Sequence, residues 1–228
     1  LTLLQQMGDQ LAHRGPDDSG VWFDNNCGVG LSHRRLSIID LSAQGHQPMS
    51  STSGRFVIAY NGEIYNHQEL KKELLQAKVA FRGGSDTEVL LAAIECWGIK
   101  QTLRRCIGMF AFSLWDKKEQ TLSLVRDRIG EKPLYYGWQG KGAKRTFLFG
   151  SELKSLRQHP AWQGGTDRDA LANLLRYNYI PAPQTIHPGI FKLRPGYLLQ
   201  LKKDTNGNWS EREECWWSLQ EVAQQARK

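Results

Sequence analysis

Apolar periodicity in this chain switches from helical to strand-like and back in blocks, and that block order constrains the fold more than any other feature. Leu3, Leu4, Met7 and Leu11 recur at spacings of one, three and four, which predicts a helix within residues 1 to 12. Gly15-Pro16-Asp17-Asp18 ends it with a strong turn signal. From Val21 to Asp40 the apolar residues form short strand-like clusters, the last being Leu36-Ser37-Ile38-Ile39. Arg55 to Tyr60 is a further strand candidate, ended by Asn61-Gly62. Two helices follow: Asn66 can cap the first, and Ser85-Asp86-Thr87-Glu88 reads as a full capping box for the second. Strands return beyond Gly108, at 109–116, 121–127, 133–136 and 147–149, followed by short helices at 151–158 and 167–177. After Tyr179 the chain is rich in Pro, with one more strand-like segment at 197–201. Strands and helices in blocks, without βαβ alternation, predict an α+β fold with antiparallel sheets.

Composition removes several function classes. A chain of 228 residues with 40% hydrophobic and 23% charged residues can bury a real core without staples. Its most apolar run, Cys106 to Trp115, holds ten residues. A membrane span needs about 20, so no membrane partner is expected, and nothing resembles a signal peptide. The four cysteines, at 27, 96, 106 and 215, form no CxxC pair. Neither a zinc site nor a disulfide framework is expected, and scattered thiols fit a reducing, cytoplasmic compartment. The formal charge of +7 is spread along the chain, with no basic stripe interleaved with aromatics. A solvated basic surface is expected, with no nucleic-acid partner.

Several polar segments exceed what a core requires, and each has two readings. Asn61-Gly62-Glu63 directly follows an apolar strand. An Asn amide beside a Gly N–H can hold a developing oxyanion, yet Asn-Gly is also the commonest type I′ hairpin pair. Arg35, opening the segment Leu36 to Asp40, can offer a bidentate fork to a carboxylate or form a plain ion pair with Asp40. Asp86, behind Gly83-Gly84-Ser85, can bind an ammonium group or simply stabilise a helix dipole. His13 to Asp17 and Arg126-Asp127-Arg128 can be purely structural. No Walker loop, dinucleotide fingerprint or GxSxG occurs.

Taken in order, HRGPDDSG (13–20), HRRLSIID (33–40), YNGEIYN (60–66), GGSDTE (83–88) and RDRIGEKPLYY (126–136) resemble class II glutamine amidotransferases. More narrowly, they are similar to the glutaminase domain of glutamine-hydrolysing asparagine synthetases, over roughly residues 13 to 201. The resemblance implies a four-layer αββα sandwich of two antiparallel sheets, of the N-terminal-nucleophile hydrolase type. It implies that an N-terminal Cys attacks the side-chain amide of glutamine, with its own α-amine as base. Carried over, Arg35 would hold the glutamine α-carboxylate, and Asp86 the α-ammonium with Glu63 assisting. Asn61 and Gly62 would form the oxyanion hole. Arg14 would lie near the nucleophile, with no role assigned.

The family opens Met-Cys-Gly, whereas this sequence opens Leu1-Thr2-Leu3-Leu4. Cys27-Gly28 mimics that opening but follows HRGPDDSG and has no free amine, so Cys27 is expected to be structural. The expectation is a glutaminase domain over 1–201, lacking its nucleophile and inactive in glutamine hydrolysis as written. Residues 202–228 would begin a connection toward an absent synthetase domain, where ATP and magnesium would be used; no cofactor is expected in 1–201. The implied partners are glutamine and that synthetase domain in cis, with a homodimer left open. Two alternatives stand beside this: a related amidotransferase that amidates a sugar acid in surface polysaccharide synthesis, and a non-catalytic binding module of the same fold.

Overall fold

The computed structural model describes residues 1–204 and 207–227. Helix α1 (Thr2–Asp9) precedes the hairpin of β1 (Asp18–Asp24) and β2 (Val29–Arg35). A two-residue strand β3 (Met49–Ser50) leads into the long β4 (Phe56–Ile64). Helices α2 (His67–Gln76), α3 (Asp86–Trp97) and α4 (Ile99–Arg105) follow, then β5 (Gly108–Asp116) and β6 (Thr121–Arg126). Next come β7 (Tyr135–Gln139), β8 (Thr146–Gly150), α5 (Leu153–Leu156), α6 (Arg168–Tyr177) and β9 (Phe191–Lys192). The hairpin of β10 (Tyr197–Lys203) and β11 (Trp209–Cys215), then α7 (Leu219–Gln225), complete the order. Every strand pairing among the described residues is antiparallel.

The main sheet runs β11-β10-β6-β5-β4-β3. Because side chains alternate across a strand, Phe56, Ile58, Tyr60 and Ile64 of β4 join Phe110, Phe112 and Leu114 of β5 on one face. There they meet Leu70 and Leu74 of α2 and Val89 to Ile94 of α3. The opposite face, with Ala111, Trp115, Leu122 and Leu124, packs against a second layer containing Val29, Leu134 and Tyr136. Helices α1 and α5 cover that layer from outside, through contacts with β2 and β8. These are the four expected layers, with one difference. The second layer is in two pieces, the β1-β2 hairpin and the three-stranded β8-β7-β9. Strand β11 completes the edge of the main sheet, so that sheet continues into the stretch read as a connection; positions 205, 206 and 228 of that stretch lie outside the described residues.

Four local expectations are corrected. Asn61-Gly62 does not end its strand: β4 continues unbroken to Ile64, with Gly62 opposite Phe110. The hairpin reading fails because a full partner strand is available on one side and needs a glycine. A Cβ on Gly62 would lie 2.2 Å from the Met109 carbonyl oxygen and 2.6 Å from Phe110 Cα. Residues 36–39 are not a strand, since β2 stops at Arg35 and Leu36, Ile38 and Ile39 are exposed. Glu88 makes only half of a capping box. Its N–H donates to Ser85 Oγ, but its carboxylate takes the N–H groups of Arg82 and Gly83. Asn66 sits at the α2 N-cap without a capping bond, its side chain instead tying Arg105 and Ile107 of the next segment.

Candidate functional site

Between the two pieces of the second layer lies a cavity of about 640 Å³. Its sides are β2 and β8, each paired on one edge only among the described residues; α1 closes it from outside and β4 and β5 from below. At its rim stand Arg35, Asn61, Gly62, Glu63 and Asp86. The structure therefore brings together all five residues singled out in the sequence.

Strand β4 supplies three of them. Both main-chain groups of Phe110 face Asp127, on the β6 side: its carbonyl accepts from the Asp127 N–H (2.8 Å) and its N–H donates to Asp127 Oδ2 (3.2 Å), so Gly62 opposite it is a non-hydrogen-bonded pair with β5. The main-chain groups of Tyr60, Gly62 and Ile64 thus face away from β5, past the end of the short β3. Side chains replace the missing ladder at the outer two positions. The Tyr60 N–H donates to Gln47 Oε1 (2.7 Å), and His33 Nε2 donates to the Tyr60 carbonyl (2.9 Å). The Ile64 N–H donates to Asp86 Oδ2 (2.9 Å). Gly62, between them, is given no such partner among the described residues, so its N–H is an open donor at the edge. Asn61 and Glu63, one residue to either side, point to the opposite sheet face from Tyr60. Both are half-buried there without a protein partner among the described residues.

Arg35 and Asp86 are held by one linked pair of loops. The buried Arg35 donates to the main-chain carbonyls of Asp40 and of Ser42 (3.0 Å for Ser42), and its guanidinium lies where a Cβ on Gly45 would fall. The ion pair with Asp40 is not made. The Asp40 carboxylate instead accepts from the N–H groups of Ser42 (2.8 Å) and Gly84 (3.0 Å); the Ser42 side chain, then these N–H groups, lower its pKa. Asp40 thereby docks the 83–85 loop against the Arg35 loop and sets the start of α3. The Asp86 carboxylate, buried at the first position of α3, accepts from Tyr60 Oη (2.7 Å) as well as from Ile64. A guanidinium and a carboxylate lining the same cavity as an open N–H suit an amino acid's carboxylate and ammonium groups flanking a reacting carbonyl.

His33, Gln47 and Tyr60, which organise the edge of β4, were missed in the sequence. Each looks like an ordinary strand or loop residue, and only the early end of β3 gives them their partners. Burial lowers the His33 pKa to about 4 despite the raising bond to Tyr60, so it is neutral, with Nδ1 sealed and unpartnered. Arg14 joins His13 and Lys154 around Glu152 at another part of the cavity wall. Desolvation raises the Glu152 pKa, but the hydrogen bonds from Arg14, His13 and Lys154 outweigh it and bring it to about 2. Cys27 lies in the β1-β2 turn against the inter-sheet core, where burial raises its thiol pKa, consistent with the structural role expected.

This fold and rim define a class. Over residues 2–217 the chain matches the glutamine amidotransferase domain family, and it belongs to that family. The structure of the allosteric regulatory enzyme of purine biosynthesis aligns over 95% of this chain and 46% of that one, with a TM-score of 0.66 and 19% identity. Glutamine phosphoribosylpyrophosphate amidotransferase from B. subtilis aligns to the same extent, with a TM-score of 0.63 and 17% identity. Both likenesses show a shared fold.

Closer in sequence is asparagine synthetase [glutamine-hydrolyzing] 3 of Bacillus subtilis, 38% identical over 209 residues, covering 90% of this chain and 33% of that protein. A putative asparagine synthetase of Methanocaldococcus jannaschii is 36% identical over 220 residues, covering 88% and 41%. Amidase chry2 of Gibberella zeae is 35% identical over 215 residues, covering 93% and 30%. The chain spans about a third of the length of these relatives.

Proposed function

We propose that this chain is the glutamine-hydrolysing part of an asparagine synthetase. The observation that carries this reading is the single open N–H of Gly62 between two clamped positions, with Asn61, Arg35 and Asp86 on the same rim. Arg35 binds the glutamine α-carboxylate, and Asp86 with Glu63 binds the α-ammonium. The Asn61 amide and the Gly62 N–H stabilise the oxyanion. The nucleophile is the thiol of an N-terminal Cys on a strand that precedes Leu1 and fills the cavity between β2 and β8. Two unpaired strand edges facing an apolar slot favour such a strand, because a buried edge leaves its main-chain groups unsatisfied. The thiol attacks the amide carbon, the α-amine takes its proton and passes it to the leaving nitrogen, and ammonia departs from a thioester. Water then releases glutamate and restores the thiol.

A synthetase domain following residue 228 uses this ammonia to convert aspartate to asparagine, with ATP and magnesium belonging to that domain alone. Four free cysteines support a reducing, cytoplasmic setting. No described helix is long and apolar enough to cross a membrane.

The test uses the full-length protein. Arg35→Ala and Asp86→Ala each raise the glutamine KM, about 10- to 100-fold for a lost hydrogen bond to a charged group. Synthesis from free ammonia survives in both. Parallel loss of the ammonia-dependent reaction would show that the two residues hold the fold and not the ligand.

A further inference from the structure

Asp86 Oδ2 accepts twice, from the Ile64 N–H and from the Tyr60 hydroxyl, while Oδ1 has no protein donor among the described residues. Tyr60 is itself immobilised. Its ring is buried in the core between β4 and α3, its N–H is held by Gln47 and its carbonyl by His33. We infer that Tyr60 is a positioning residue, whose hydroxyl pins Oδ2 of Asp86 so that Oδ1 is presented to the α-ammonium group of the amino-acid substrate. The inference rests on the assignment of Asp86 under the proposed function.

The physical case begins with the carboxylate. A short Asp side chain held by one main-chain N–H can still pivot about that contact. A second donor converging on the same oxygen, from a ring that cannot move, removes the pivot and leaves one oxygen for the ligand. The direction of the bond is also set. Burial, then the Asp86 charge, push the Tyr60 hydroxyl pKa well above its ordinary value, so Tyr60 is always the donor. The same carboxylate fixes Ile64, two residues beyond Gly62. Tyr60 therefore joins the ammonium site to the strand that carries the oxyanion donor. A core tyrosine with no such role would be replaceable by phenylalanine without effect on the substrate.

A double-mutant cycle in the full-length protein decides the matter. Glutamine hydrolysis is measured against glutamine concentration for the parent, Tyr60→Phe, Asp86→Asn and the double variant, with thermal unfolding as the folding control. Tyr60→Phe should raise the glutamine KM about tenfold, as expected for one lost hydrogen bond to a charged acceptor, and leave kcat nearly unchanged. In the Asp86→Asn background the same replacement should have no further effect, because the group it orients is gone. An unchanged KM in Tyr60→Phe, or an equal increase in both backgrounds, overturns the inference while the role of Asp86 stands. An unchanged KM in Asp86→Asn overturns the role of Asp86, and the inference with it. If Tyr60→Phe fails to fold, Tyr60→Met removes the hydroxyl while refilling the core, and enters the same cycle.

Discussion

Replacing Asp127 by Asn should destabilise this domain severely, although the change alters one atom. Asp127 is fully buried at the end of β6, and its carboxylate gathers five main-chain N–H groups. Oδ1 accepts from Ile129 (3.2 Å), Gly130 (2.6 Å) and Glu131 (2.9 Å), and Oδ2 from Lys132 (3.0 Å) and Phe110 (3.2 Å). In Asp127→Asn one oxygen becomes an NH2 group. In its better orientation it faces the N–H groups of Lys132 and Phe110; flipping it would strand three donors instead of two. Each stranded buried donor costs about 1–3 kcal/mol, or about 2–6 kcal/mol for the pair. Against a total stability of about 5–15 kcal/mol, that is a large share. The urea midpoint should fall by about 0.7–3 M for a slope of about 2–3 kcal/mol/M. Buried Trp115 provides the fluorescence signal. A shift of less than about 0.3 M would refute the view that this loop is held by its carboxylate.

Three further outcomes follow from the same geometry. Gly62→Ala places a methyl group against immovable backbone of β5, so it should cost about 1–3 kcal/mol and displace the open N–H; unaltered thermal unfolding and glutamine hydrolysis would contradict that close approach. His33, held neutral with its pKa lowered to about 4, binds a proton more readily when unfolded. Its contribution is complete above about pH 6.5 and declines as pH falls toward 4, by about 1.4 kcal/mol per unit at most, so a His33→Gln variant should show a shallower acid loss in urea midpoints; identical slopes would refute it. Glu152, lowered to about 2, has the usual carboxylate sign: its stabilisation is present above about pH 4.5 and is lost as pH falls through about 2. Glu152→Gln should therefore flatten the stability profile only below about pH 4.5, and a change at neutral slope would point elsewhere.

Much of the fold was legible because its local signals agree with it. Ser85 does cap α3, and the spacing of Val89, Leu90, Leu91 and Ile94 does bury that helix. The near-continuous apolar runs of β5 and β6 likewise match strands covered on both faces. Failures came where a local signal met a distant partner. Leu36-Ser37-Ile38-Ile39 has strand composition, yet Arg35 gathers the carbonyls of Asp40 and Ser42 and the chain leaves the sheet. Asn61-Gly62 has turn composition, yet β5 lies alongside it and the glycine serves close approach instead.

Residue types and their order supplied a guanidinium, an acid and adjacent amide donors, because those groups belong to side chains and to a glycine main chain. Only the tertiary structure decided which donor stays open. Tyr60, Gly62 and Ile64 carry identical main-chain groups on one edge of β4. Their difference comes from His33, Gln47 and Asp86, which arrive from other segments and close two positions of the three. A hydrogen bond between residues far apart in sequence leaves no periodicity for the sequence to display, and here such bonds are what leave the Gly62 N–H open.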